Sequence, residues 1–412
     1  MAIFQKVKIK DYCEITSSKR ISADEYVLSG VPFYRGKEIS EKQKSSSDVN
    51  DALFITRERF EDIKSKFGAP REGELLLTSV GTIGNPYVVK KNEEFYFKDG
   101  NLTWFKNFKG LNSRWFYYWL LSPYGKSELN KCTIGSSQKA YTINLLYKIE
   151  LEMPDEPTQS GIASVLSAYD DLIENNEKRI KVLEEMASRL YAEWFVKFKF
   201  PGHEKVKLVD SGTEFGMIPE GWQSGSMADI FDNLRIATQA GKHLIGRVYV
   251  PIEYLPRKSL ALQNFADWKE AQSSLVLFEK GDILFGAMRP YFHKVSIAPF
   301  AGVTRTTCFV LRPKEKYFKS FGTLTAFSDR VVAFASGNTR GATIPYAVWD
   351  GALSNCPIVI PPSDLLNRFE NIVGTALGQL AFLSRQNDRL VKMRDLLIPQ
   401  LVTGKQEIRG DV

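Results

Sequence analysis

"YDDLIENNEKRIKVLEEMASRLYAEWF", residues 169–195, decides how the rest of the chain is read. Counting from slightly upstream, Ile162, Tyr169, Asn176, Leu183 and Leu190 recur every seventh residue. Leu166, Ile173, Ile180, Ala187 and Trp194 form a second row four residues further on. Alternating steps of four and three mark the narrow seam of a coiled coil, where a surface helix shows a broader stripe. Asp170, Glu174, Glu177, Lys178, Arg179, Lys181 and Glu184 fill the flanks. The spacing predicts one helix from about Gln159 to Phe195, roughly 55 Å long at the α-helical rise. Phe369, Val373, Ala376, Leu380, Leu383, Asn387, Leu390, Arg394, Leu397 and Leu401 repeat the pattern near the C-terminus. Each seam carries one Asn, Asn176 or Asn387, a residue that costs stability there but fixes register. The simplest arrangement packs the two seams together, antiparallel, as part of an internal pseudo-two-fold repeat.

The segments before the helices also repeat each other. "REGELLLTSVGTIGNPYVV" (71–89) aligns with "EKGDILFGAMRPYFHKVSI" (279–297): a charged turn, a strand, a small-residue loop and a second strand. "IELEMPDEPTQ" (149–159) aligns with "CPIVIPPSD" (356–364), and the helical patterns match at a shift of 210. The unit is one globular block plus one long helix, used twice. Short apolar runs such as 74–79, 87–90, 282–285 and 307–311, bounded by Gly, Pro and Asn, predict strand-rich blocks. "SRWFYYWL" (113–120) predicts a short helix packed on a sheet, with most of its aromatics in the core. The fold expected is mixed α/β, with blocks at 1–155 and 213–362 and helices within 156–200 and 363–408.

Charge is distributed to match. The 412 residues carry a net +7. Residues 1–153 contribute +5, 154–212 contribute −3, 213–362 contribute +4 and the remainder +1. Two basic blocks separated by an acidic rod suit a polyanionic partner. No apolar run approaches the roughly 18 residues of a membrane helix, and "MAIFQKVKIK" has no signal core, so a cytoplasmic protein is expected. Cys13, Cys132, Cys308 and Cys356 lack metal-ligand spacing and suit buried thiols in a reducing compartment.

A search for catalytic chemistry finds fragments only. "GNPYVV" (84–89) lacks one proline of a base-holding Asn-Pro-Pro-Tyr tetrapeptide, and "GTIG" (81–84) has the wrong spacing for a dinucleotide loop. No phosphate loop ending in Gly-Lys-Ser/Thr occurs. "DWK" (267–269) and "MPD" (153–155) are isolated nuclease-like fragments, and His203, His243 and His293 share no zinc spacing. No catalysis and no metal site is expected of this chain.

"LEEMASRLYAEWFVKFKFPG" (183–202), "EFGMIPEGW" (214–222), "GDILFGAMRPYFHKVSIAPFAGVTRTTCFVLRP" (281–313) and "RDLLIPQLVTGKQEI" (394–408) together resemble the specificity subunit of type I restriction–modification systems. The resemblance covers essentially the whole chain, in the order block, helix, block, helix. It implies two target-recognition domains, each reading half of a bipartite duplex DNA target through the major groove. It implies that antiparallel helices set the spacer and dock two methyltransferase subunits, which restriction subunits then join. It also implies that S-adenosylmethionine, ATP and Mg belong to those partners and that no cofactor binds here. One departure is visible: the first block opens at "MAIFQKVKIKDYCEI", without the Pro-Glu-Gly-Trp lead-in of the second. The competing readings are a coiled-coil scaffold that binds no DNA and a stand-alone DNA-modifying enzyme.

A DNA reader needs cations for phosphates, and Arg, Asn, Gln, Ser or Thr for base edges. In the first block the candidates are Lys19, Arg20, Arg35, Lys37 and the loop residues Ser136, Ser137, Gln138 and Lys139. In the second they are Arg235, Lys242, Arg247, Arg289, Arg305 and the matching loop at Thr339 and Arg340. Both loops follow a glycine and precede a β-like stretch, so they are expected at equivalent places.

Overall fold

The computed structural model describes residues 4–44, 52–135, 139–272, 274–341 and 343–407. Two compact units emerge: Met1–Asn175 together with Leu390–Val412, and Asn176–Arg389. Each is mixed α/β.

In the first unit the main sheet is antiparallel, in the order Glu14–Thr16, Leu102–Lys106, Leu75–Thr78, Pro86–Val88. A second sheet orders Tyr26–Val27, Leu53–Ile55, Val31–Tyr34 and Tyr96–Phe97, its last pair parallel. The aromatic run expected to form a short helix is helix Ser113–Leu121. Asn112 caps it, its Oδ1 accepting from Arg114 N at 3.0 Å and Trp115 N at 3.1 Å. Trp115, Phe116, Tyr118 and Trp119 are buried, and the ring of Phe105, on the main sheet, lies tilted at 5.5 Å from that of Phe116. A second helix, Pro123–Lys131, follows at once, with Pro at the position where its missing N–H costs nothing.

The second unit repeats this plan. Its main sheet runs Phe231–Leu234, Cys308–Pro313, Ile283–Gly286, Val295–Ile297, strand for strand the order of the first. Its second sheet has five strands and keeps the parallel pair, here Val248–Tyr249 beside Gly302–Arg305. The helix pair is Phe318–Phe327 and Asp329–Gly337. The differing lead-ins also do one job. Gln5–Lys8 pairs antiparallel with Glu150–Met153, and Gln223–Ser226 pairs antiparallel with Pro357–Ile360.

The long helices are Glu156–Tyr191 and Ser363–Leu401. Asp155 opens the first by accepting from Thr158 N at 3.0 Å, and those Thr158 donors hold its carboxyl below the ordinary range. Within the first unit, Ile162, Ala163 and Leu166 share a core with Ile398, Leu401 and Val402, while Arg394 Nη1 donates to Asp170 at 2.6 Å. Within the second, Asn176 Nδ2 donates to Asn387 Oδ1 at 2.8 Å, and Trp194 lies 5.5 Å from Phe369. In both units the partners advance in opposite directions, so the helices are antiparallel. Of the seam residues, Ile162, Leu166, Asn176, Ile180, Leu380, Leu383 and Asn387 are buried; Tyr169, Ile173, Leu183, Leu190 and Leu390 are half-buried. Each fully buried Leu or Ile contributes about 2 kcal/mol from its apolar area.

The central helix ends in a wider turn, Ala192–Val196, and the chain then reverses at Phe198, whose φ is 57°. The aromatic motif is what holds that reversal. Phe195 sits 4.7 Å from Phe369 and 5.0 Å from Phe321, and Trp222 sits 5.3 Å from both Phe198 and Phe200. Such pairs add about 0.5–1.5 kcal/mol each beyond area burial. Among the described residues no helix is long and apolar enough to cross a membrane.

Candidate nucleic-acid interface

In each unit the helix pair runs directly into a small hairpin. Thr133–Ile134 pairs with Ala140–Tyr141 in the first, and Thr339–Arg340 with Tyr346–Ala347 in the second. In each, the incoming strand is followed by a glycine in the left-handed region, Gly135 at φ 86° and Gly341 at φ 90°. Each hairpin is stitched to the loop leaving the central strand of the main sheet. Val80 bridges Ala140 and Tyr141 N donates to Ser79 O at 3.0 Å; Met288 bridges Tyr346 and Ala347 N donates to Ala287 O at 2.8 Å. The two candidate loops therefore occupy equivalent places, but the match is shifted. Thr339 and Arg340 form the incoming strand, equivalent to Thr133 and Ile134, and Gly341 is the equivalent of Gly135.

The candidate residues fall into distinct environments. Ser136, Ser137 and Gln138 lie outside the described residues, while Lys139 is exposed beside the hairpin. Arg35 and Lys37 line one groove with Ser40, Val80, Thr82 and Asn101, next to the loop that carries the hairpin. Arg35 is not a free cation there. Its side chain and backbone N–H bond the buried Glu38, with Nε at 3.2 Å and N at 2.7 Å. Burial works to raise the Glu38 carboxyl, but the Arg35 donors outweigh it and hold it below its ordinary value. Lys37 is exposed and 3.8 Å from Glu41. Lys19 lies over the Phe67 ring at 4.6 Å, and Arg20 is exposed on the same loop.

In the second unit Arg235 pairs with Asp350 at 2.7 Å, and Arg247 with Glu279 at 2.8 Å. Lys242, which opens a short 3-10 helix, and Arg305, at the end of a strand of the second sheet, are exposed. Thr339 is half-buried. Arg289 and Arg340 come together differently: both are exposed, on segments joined through the Met288–Tyr346 bridge and the Arg340–Tyr346 pair. Neither guanidinium meets a hydrogen-bond or ion-pair partner among the described residues.

Residues 2–185 match the type I restriction modification DNA specificity domain. The type I restriction enzyme MjaIX specificity subunit of Methanocaldococcus jannaschii is 26% identical over 428 aligned residues, covering 97% of this chain and 93% of that protein. The first 185 residues thus carry a specificity-domain match, and the chain along nearly its whole length is similar to a type I specificity subunit. The type I restriction enzyme HindI specificity subunit of Haemophilus influenzae is 32% identical over a shorter stretch, 17% of this chain and 15% of that protein. The crystal structure of the S subunit from M. genitalium has the same fold, with a TM-score of 0.57 at 14% identity, covering 97% of this chain and 96% of that one.

Groups that can meet a polyanion without first breaking internal bonds are the stronger candidates for contact. That favours Lys139, Arg289 and Arg340 over Arg35, Arg235 and Arg247. Sequence reasoning missed the exposed apolar side chains beside them: Tyr291, Ile344 and Tyr346 in the second unit and Ile134 in the first. Their signal was the glycine-led hairpin after a helix pair, which singles out its own tip. Among the described residues no group of three or more His, Cys, Asp or Glu could hold a metal ion. The four cysteines are buried, and burial pushes the Cys13 thiol up to about 12 and those of Cys308 and Cys356 up to about 11.

Proposed function

We propose that each unit reads one half of a two-part duplex DNA target, through its hairpin and the loop bridged to it. The chain is a type I specificity subunit, the recognition component and not a catalytic one, and it works in assembly with other subunits. In this reading the segments 1–155 and 213–362 are the recognition blocks, and the helices within 156–200 and 363–408 set the interval between half-sites. The helices also dock two methyltransferase subunits, which restriction subunits join; those partners bring S-adenosylmethionine, ATP and Mg. The observation that carries this reading is the repetition in both units of one assembly: a helix pair, a glycine-led hairpin, and a bridge to the central-strand loop. A structure built twice suits a target read in two places. The scaffold and stand-alone-enzyme alternatives find no support in the family match.

Selection of bound duplexes from a random library, with the full chain assembled on its methyltransferase subunits, tests this directly. The expected product is two short motifs at a fixed interval, with binding weakened about a thousand-fold or more between roughly 50 and 200 mM salt. A single contiguous motif, or salt-insensitive binding, overturns it.

A further inference from the structure

We infer that Arg289 is a specificity-determining residue of the second unit that reads guanine, at a position where the first unit has only a glycine. The sequence repeat sets Gly81 opposite Arg289, and the backbone is alike at the two: Gly81 has φ 80° and Arg289 has φ 50°, ψ 60°. Glycine takes that conformation freely; arginine does not. Pro290 follows, and a residue before proline is further driven toward extended backbone. The second unit thus keeps a side chain where its own fold asks for none. Strain of this kind persists where surrounding structure enforces it and function repays it. Enforcement is visible: Arg289 N donates to Pro345 O at 2.8 Å, and its neighbour Met288 is bridged to Tyr346.

The guanidinium so placed has no partner among the described residues, and Arg340, likewise without one, stands on the strand paired with the one that Met288 bridges. The surroundings favour a base edge over a phosphate row. Neither 287–292 nor 339–347 contains a lysine or a carboxylate, and Tyr291, Ile344 and Tyr346 stand exposed among them. Phosphate contacts need only charge, and a relaxed lysine supplies it. A fixed arginine fork matches O6 and N7 of guanine at once, and apolar neighbours suit thymine methyls. The inference rests on the two-part reading proposed above.

The test repeats the library selection with the full chain, assembled on its methyltransferase subunits, as wild type, Arg289→Gly and Arg289→Lys. The expected result for Arg289→Gly is that one G·C position in one half-site loses about ten- to a hundred-fold discrimination. The other half-site stays intact, and the melting temperature equals or exceeds that of wild type. Arg289→Lys keeps the charge and should fall between the two at that position alone. An unchanged motif overturns the inference while leaving the two-part reading standing. So does a uniform loss of affinity with base preferences kept, the mark of a phosphate contact, and so does a lowered melting temperature, the mark of a structural residue. If the wild type yields no two-part motif, both readings fall together.

Discussion

At His293 the backbone is again left-handed, with φ 50°, and the imidazole is buried. Nε2 lies 2.8 Å from Phe327 O, and Nδ1 lies 3.3 Å from Asp329 Oδ1. A carbonyl only accepts, so the neutral ring carries its proton on Nε2. Burial lowers the pKa below its ordinary value, and Lys258 pushes the same way; the Phe327 carbonyl and the Asp329 carboxylate oppose but do not win. The unfolded chain then binds a proton that the folded chain resists. The stability this site contributes is present above the unfolded value, about 6.5, and is lost as pH falls through the folded value. Denaturant midpoints measured from about pH 7.5 down to about pH 5 should fall more steeply for wild type than for His293→Asn, which tolerates positive φ. Parallel curves would mean that the imidazole does not carry this dependence.

Among the elements, the paired helices are the most legible, because few structures besides a coiled coil call for apolar residues at steps of four and three. The short helix 113–121 is readable from its aromatic density, and the central strands from their Gly and charged-turn boundaries. The hairpins are legible only as loops. Two-residue strands carry no periodicity, and their pairing depends on Ser79 and Ala287, far away in sequence. Arg35 reads as a surface cation because nothing local announces that Glu38 is fully buried. The seam Asn pair shows what spacing alone can deliver: Asn176 and Asn387 stand out by position and meet at 2.8 Å, with Gln386 Oε1 a second acceptor at 3.2 Å. Replacing Asn387 by Leu removes the nearer acceptor and should cost about 1–2 kcal/mol. Asn176→Leu with Asn387→Leu should regain most of that or exceed wild type, since a matched apolar pair needs no partner. A double-mutant cycle by chemical denaturation measures the coupling; additive losses would show that the amides do not depend on each other.

For the whole molecule, the chemistry that fastens each block to its helices is more revealing than its strength. In the second unit Glu184 Oε1 accepts from Leu260 N at 2.5 Å, Ala261 N at 3.1 Å and Ser259 Oγ at 2.8 Å. Glu370 accepts from Ser320 N at 2.8 Å, and Ser384 Oγ donates to Leu262 O at 2.5 Å. In the first unit Gln159 accepts from Asn112 N at 2.7 Å and donates to Gly110 O at 3.2 Å. Most of these partners are backbone groups, which every sequence possesses. A block can therefore change many of its side chains and keep these bonds, provided that the packed contacts between block and helix, such as Phe321 on Phe195 and Tyr118 on Asp170, are kept in kind. The strands that open and close the second block, Gln223–Ser226 and Pro357–Ile360, pair with each other, so a segment cut outside them carries its own closure. Replacing residues 213–362 by the corresponding block of a type I specificity subunit similar to this chain should give a chain that folds and assembles. In the library selection, one half-site should change to that of the donor while the other half and the interval stay as they were. A change in both halves would mean that recognition is shared across the chain, and the backbone-held block would then be a structural module without being a functional one.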